Sequence, residues 1–209
     1  SLASKIRKSA QPRIPTYRVA SATNLPYESE SFDLVNCCGS TISAIDHYQI
    51  ALREISRVLR PGGIILLEVE NKYNLDLIWP ILDSLVGGKI GYDQTLKESF
   101  SNLFSDLGKH VKTDFPFSTH NEEVLMPIWL FSSRTIIREL NQLCITIDEI
   151  RAIHNFTNII PSVALDRTDP PKCSMVFFNL LSKFETITSS IPLFRRLGCS
   201  LVLFGRKRK

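Results

Sequence analysis

No glycine precedes Gly39, and only nine occur in 209 residues. A glycine-rich loop that cradles a phosphate or a cofactor tail is therefore excluded from everything ahead of that position. No apolar run is long enough to span a bilayer, and the opening SLASKIRKSA lacks the apolar core of a signal peptide, so no membrane span is expected. Cysteine is sparse and odd in number: Cys37, Cys38, Cys144, Cys173 and Cys199, with no CxxC pair. That spacing suggests neither a disulfide framework nor a zinc site, and reduced thiols beside apolar runs point to a cytoplasmic protein without a metal. Neither sign of charge dominates, since 25 Lys and Arg against 21 Asp and Glu leave +4, too mild to select a partner. There are no internal repeats and no low-complexity tract. With 44% hydrophobic residues, the chain can bury one good core and needs no second domain.

What is present centres on residues 24–70. Residues 32–37, FDLVNC, form a short apolar run between the polar turn ESES and Gly39-Ser40-Thr41, which suits a strand buried on both faces. From 48 to 59, Ala51, Leu52, Ile55, Val58 and Leu59 recur at helical spacing, with Asp46 as the expected N-cap and RPGG as the stop. Residues 64–69 form a second apolar run. A strand, an amphipathic helix and a strand at this spacing make a right-handed crossover with parallel strands.

LPY, then SFDLV, then REISRVLRPGGIILLE resembles the class I S-adenosylmethionine-dependent methyltransferases. Within them it is similar to the ubiquinone/menaquinone-methyltransferase-like branch (methyltransferase type 11), whose usual pattern is GDA-x-x-LPF, SFD-hydrophobic and E-hydrophobic-x-RVLKPGG. The match is dense over residues 17–70 and thin elsewhere. It implies an α/β fold: one Rossmann-like domain over 1–209, mostly parallel with an antiparallel last strand, and helices on both faces. The opening helix and a strand at 17–21 would be the second helix and third strand of that fold. The first two strands and the glycine-rich turn would then precede Ser1, and the chain alone is expected to be inactive as a fragment. The final strand, 200–204, would be the seventh, inserted between the fifth and sixth.

The resemblance also implies an enzyme using S-adenosylmethionine and no metal. Ser21 stands where the family's acidic residue meets the adenine amino group, with Ala22 and Leu25 beside it; the alternative is that Ser21 and Thr23 simply start a turn. Cys38, Gly39 and Ser40 follow the fourth strand, where the cofactor's methionine part would lie. His47 falls where many relatives carry a histidine near the transferred methyl, against the alternative of a surface residue at a helix start. Asn71 and Tyr73 follow the next strand at a ligand position, and Tyr92 belongs to the same substrate side. His154 and Asn158 lie in HNFTNIIPS after the strand-like 144–153, with a purely structural His154 equally open.

Residues 71–131 read as a helical insertion that covers the substrate site: helices at 75–86, with Pro80 kinking the first, and at 96–107, then an aromatic loop at 114–129. Helices at 132–143 and 175–184 follow. The closing GRKRK reads as a solvated basic tail. The resulting expectation is methyl transfer to a small, apolar acceptor. Nucleic acid is not an expected partner, and the oligomeric state is not set by the sequence. Two other readings stay open: a non-catalytic remnant of the fold, or a methyltransferase acting on RNA or protein.

Overall fold

In the computed structural model, which describes residues 16–73, 78–87, 110–118, 123–157, 160, 172–188, 191 and 198–209, the crossover unit is present. β1 (Phe32–Cys37) leads through a 3-10 turn (Thr41–Ala44) into α1 (Tyr48–Val58), which returns the chain to β2 (Leu59–Glu70), parallel to β1. Then come α2 (Ile78–Leu85), β3 (Val111–Ser118), β4 (Glu123–Leu130), α3 (Ser133–Gln142), β5 (Ile145–Ile153), α4 (Lys172–Thr188) and β6 (Ser200–Lys207). The main sheet has the order β1-β2-β6-β5, and β6 is antiparallel to both neighbours. The α/β fold is therefore as expected, with the reversed last strand between β2 and β5.

The core lies on one side of this sheet. Alternate residues of β2 (Ile65, Leu67, Val69) and β6 (Leu201, Leu203) are buried, together with Ile145 of β5. They meet Ala51, Leu52 and Ile55 of α1 and Ile136 and Leu140 of α3. Each such large apolar side chain contributes about 1.5–3 kcal/mol through burial. The two helices also touch, for Ser56 Oγ donates to the Leu143 carbonyl oxygen at 2.8 Å.

Several local expectations are corrected. β1 is not buried on both faces: Leu34 is 57% exposed and its register partner Ile64 46%, because both point away from α1 and α3. Residues 17–21 form no strand; Tyr17 and Val19 are exposed, and Ser21 makes only an isolated bridge to Asn24. The N-cap of α1 is His47, without a side-chain cap bond, while the Asp46 carboxylate pairs with Lys112 Nζ at 2.7 Å. Of the helix expected at 75–86, Ile78–Leu85 is helical and contains Pro80, while residues 74–77 lie outside the described residues. The stretch 114–129 is not a loop: β3 and β4 pair as an antiparallel hairpin with continuous register. The helix expected at 96–107 lies outside the described residues.

The basic terminus is only in part a solvated tail, for Arg206, Arg208 and Lys209 are exposed while Lys207 is largely covered. β6 runs through Lys207, whose ammonium donates to the Ser56 and Leu59 carbonyl oxygens at the end of α1. Arg206 pairs with Asp148, and Arg208 donates to the Asn141 carbonyl oxygen at the end of α3. Cations at the negative ends of two helices satisfy carbonyls that lack partners within the helix.

Candidate functional site

The carboxyl ends of β1, β2 and β5 and the start of β6 form one edge, and the chain's loops converge there. Gly39 follows β1 with φ +78°, and a Cβ built there would meet nothing within 4 Å. Glycine takes this conformation without steric cost, and here it leaves open space against bare backbone. The Gly39 N–H donates to Glu68 at 2.7 Å, and Ser40 Oγ donates to Glu70 at 2.5 Å. Glu70 also accepts from Ser200 Oγ at 3.4 Å and from the Cys199 thiol at 3.7 Å. Its own N–H donates to Ser43 Oγ at 2.9 Å. Two carboxylates thus gather the β1 loop against β2, and neither was singled out from the sequence. The signal was there: in ILLEVE both acids alternate with apolar residues, which puts them on one face of the strand.

Burial first, and then the neighbouring Cys38, push the Cys37 thiol up to about 11. Burial and Glu68 raise Cys38 as well. Neither thiol is poised as a thiolate nucleophile. Cys38 therefore contributes shape and backbone to this corner.

The loop at 21–27 is held by α1. Leu25 N–H donates to Glu54 Oε2 at 2.8 Å, while Arg57 donates to the Leu25 and Tyr27 carbonyl oxygens at 3.0 and 2.8 Å. The Arg57 guanidinium beside Glu54 holds that carboxyl down to about 2, with the Leu25 N–H assisting. Ser21 is exposed, and its hydroxyl lies 2.8 Å from Thr23 Oγ1 in a local turn. Ala22 packs against the core. This anchoring fixes Ser21, Ala22 and Leu25 in place but leaves the Leu25 N–H engaged.

His47 is exposed at the start of α1. Asn71 is buried: its Nδ2 donates to the Gly198 carbonyl oxygen at 2.8 Å, and its N–H donates to the Cys199 carbonyl oxygen at 2.7 Å. It also bridges to Phe131, so Asn71 knits β2 and β6 to the strand entering α3. Tyr73 is half-buried, with the Lys72 ammonium 5.7 Å from its ring centroid. Tyr92 and Asn158 lie outside the described residues.

At the end of β5, His154 has φ +58°, and its Nδ1 lies 3.0 Å from Thr157 Oγ1. Thr157 Oγ1 donates in turn to Glu185 Oε2 of α4 at 3.1 Å. Another cluster missed from the sequence lies under the hairpin. Tyr48 packs edge-on to Trp129, Phe131 and His110 at 5.2, 4.9 and 5.6 Å, and its hydroxyl donates to Glu139 at 3.3 Å. Burial first, then the Glu139 charge, raises the Tyr48 phenol well above its ordinary range. The periodicity of α1 exposed Tyr48 as its first residue; nothing in the sequence indicated its partners. Among the described residues no group of acids, histidines and cysteines could hold a metal ion.

Residues 1–67 match the family model of a methyltransferase domain. A probable methyltransferase of Arabidopsis thaliana is 38% identical over 79 residues, 35% of this chain and 13% of that protein. A demethylmenaquinone methyltransferase of Staphylococcus haemolyticus is 47% identical over 45 residues, 22% of this chain and 18% of that protein. The aligned region spans less than a fifth of either relative. Among solved structures, a SAM-dependent methyltransferase from Methanosarcina mazei superposes with a TM-score of 0.46 at 15% identity, covering 99% of this chain and 76% of that one.

Proposed function

We propose that the chain works in S-adenosylmethionine-dependent methyl transfer to a small, apolar acceptor, as a member of the ubiquinone/menaquinone-methyltransferase-like branch. The observation that carries this is the open backbone at Gly39, at the carboxyl end of β1, flanked by the carboxylates of Glu68 and Glu70. Ligands of open α/β sheets bind beyond the carboxyl ends of the strands. The match of residues 1–67 to a methyltransferase domain, and the 47% identity to a demethylmenaquinone methyltransferase, support the same reading.

The residues present fit the cofactor. When bound, S-adenosylmethionine supplies a methyl group on a cationic sulfonium centre. Two carboxylates beside an open backbone suit a cation, and Ser40 and Ser21 offer hydroxyls. Ala22 and Leu25 supply packing on the adenine side. Catalysis then rests on alignment and exclusion of water. Tyr73, Tyr92 and Asn158 are the proposed acceptor contacts; Asn71 braces the end of β2 through its bonds to the Gly198 and Cys199 carbonyl oxygens. His47 and His154 are the two imidazoles on the residues assigned to this edge.

One observation favours the remnant reading: Ser21 turns its hydroxyl onto Thr23 where the family places an acid. Of the terminal cations that would serve a macromolecular acceptor, RNA or protein, Lys207 and Arg208 bond carbonyl oxygens at helix ends and Arg206 pairs with Asp148. Calorimetric titration of S-adenosylhomocysteine into this chain, and into a product of the same reading frame extended upstream, separates the methyltransferase readings from the remnant reading. Saturable binding to either form supports the cofactor assignment. Binding to neither overturns it and leaves a scaffold without its ligand.

A further inference from the structure

We propose that His154 is the proton acceptor for the methyl acceptor's own nucleophile, with Thr157 and Glu185 as positioning residues that fix which ring nitrogen does the work. This rests on the methyltransferase reading and deepens it. The chain of bonds has only one consistent direction. The Glu185 carboxylate can only accept, so the Thr157 hydroxyl, 3.1 Å away, must spend its single proton there. Thr157 Oγ1 then has only lone pairs to offer His154 Nδ1 at 3.0 Å, and Nδ1 must carry the ring proton. The neutral ring thus keeps its free lone pair on Nε2, which has no protein partner among the described residues.

The arrangement is built rather than incidental. Glu185 Oε2 also accepts the N–H groups of Phe156 and Thr157, both at 3.4 Å, which pin the carboxylate. Phe156 packs on Phe184 at 5.1 Å and seats α4 against the loop. Thr157 is buried, whereas the His154 side chain is exposed at the sheet edge. Its backbone holds the left-handed conformation at φ +58°, a strained state for a residue other than glycine that clusters at functional positions. Ser200 pairs with Ile153 on one side and with Glu70 on the other, so the backbone of Ile153, the residue before His154, lies two strand spacings from that of Glu70, roughly 10 Å. One acceptor molecule can span that distance.

A positioned neutral base implies an acceptor whose nucleophilic atom carries a proton, such as a hydroxyl. Nε2 takes that proton as the oxygen forms its bond to the methyl carbon. The carbon–sulfur bond breaks, its electron pair returns to sulfur as a thioether, and the imidazolium later releases the proton to water. No further reactant is required.

The tautomer can be read without any turnover. Nitrogen-resolved imidazole spectra of the full chain, with the His154 signal assigned by its loss in His154→Asn, should show Nδ1 protonated in the neutral ring. Thr157→Ser and Glu185→Gln keep a hydroxyl and an acceptor oxygen, and should preserve that state. Thr157→Val and Glu185→Leu should shift the proton to Nε2, the form that prevails in a free neutral histidine side chain. An Nε2-protonated ring in the unaltered chain, or a tautomer indifferent to Thr157→Val, overturns the inference. If S-adenosylhomocysteine binds while Nε2 is protonated, only this inference falls. A protonated Nδ1 with no binding instead overturns the methyltransferase reading, and the proton-acceptor role with it.

Discussion

Lys207 donates from its ammonium to the Ser56 carbonyl oxygen at 2.8 Å, closing the last turn of α1 with the penultimate stretch of the chain. The same group reaches the Leu59 carbonyl oxygen at 2.8 Å, and its side chain is only 15% exposed. Lys207→Met keeps the aliphatic stem but removes the ammonium's hydrogen bonds to both carbonyls. It should cost about 2 kcal/mol, read as a lower urea midpoint at unchanged slope. Deleting residues 206–209 should destabilise the fold in the same way rather than alter any affinity for RNA.

Glu54 gives the fold an acid limit. Its carboxyl sits at about 2 in the folded chain, below the ~4.3 of an unfolded glutamate. Its contribution is therefore complete above the unfolded value and is lost as pH falls toward 2. Glu54→Gln should flatten stability against pH over that window, measured by urea unfolding at successive pH values. A slope unchanged by the substitution would show that the loop at 21–27 is not held by this pair.

Cys144 adopts φ +61° just past α3, the place where helices favour glycine. Relieving that conformation outweighs the added freedom of the unfolded chain. Cys144→Gly should raise stability by up to about 1 kcal/mol in thermal or urea unfolding.

Gly39→Ala should cost about 1 kcal/mol in folding through its positive φ alone, since the added Cβ meets no protein atom. Gly39→Val should in addition weaken S-adenosylhomocysteine at least tenfold, because it fills the open space beside the backbone that the proposed function assigns to the ligand. Equal affinity in Gly39→Val and the unaltered chain would move the site elsewhere.

The crossover unit was legible because three independent signals agree over residues 32–69: two apolar runs, a helical period between them, and Gly-rich punctuation after the helix. The reversed β6 could be placed only by resemblance, since an apolar run does not state its direction. The hairpin of β3 and β4 was hidden, for its aromatics and prolines imitate a loop and its pairing is tertiary. At the candidate site, Gly39 and Ser40 stand out in the sequence because they follow a strand that the family resemblance makes the fourth. Glu68 and Glu70 were passed over as the end of a strand. Glu185 could not be found at all, because its partners Phe156 and Thr157 are 29 and 28 residues away in sequence.

The most direct measurement is an amide chemical-shift map of the chain titrated with S-adenosylhomocysteine. Saturable shifts should gather at Ala22, Leu25, Gly39 and Ser40, with Arg206 to Lys209 at the opposite edge of the sheet unmoved. Absence of saturable shifts, or shifts confined to that opposite edge, would contradict a cofactor site at the carboxyl ends of β1 and β2.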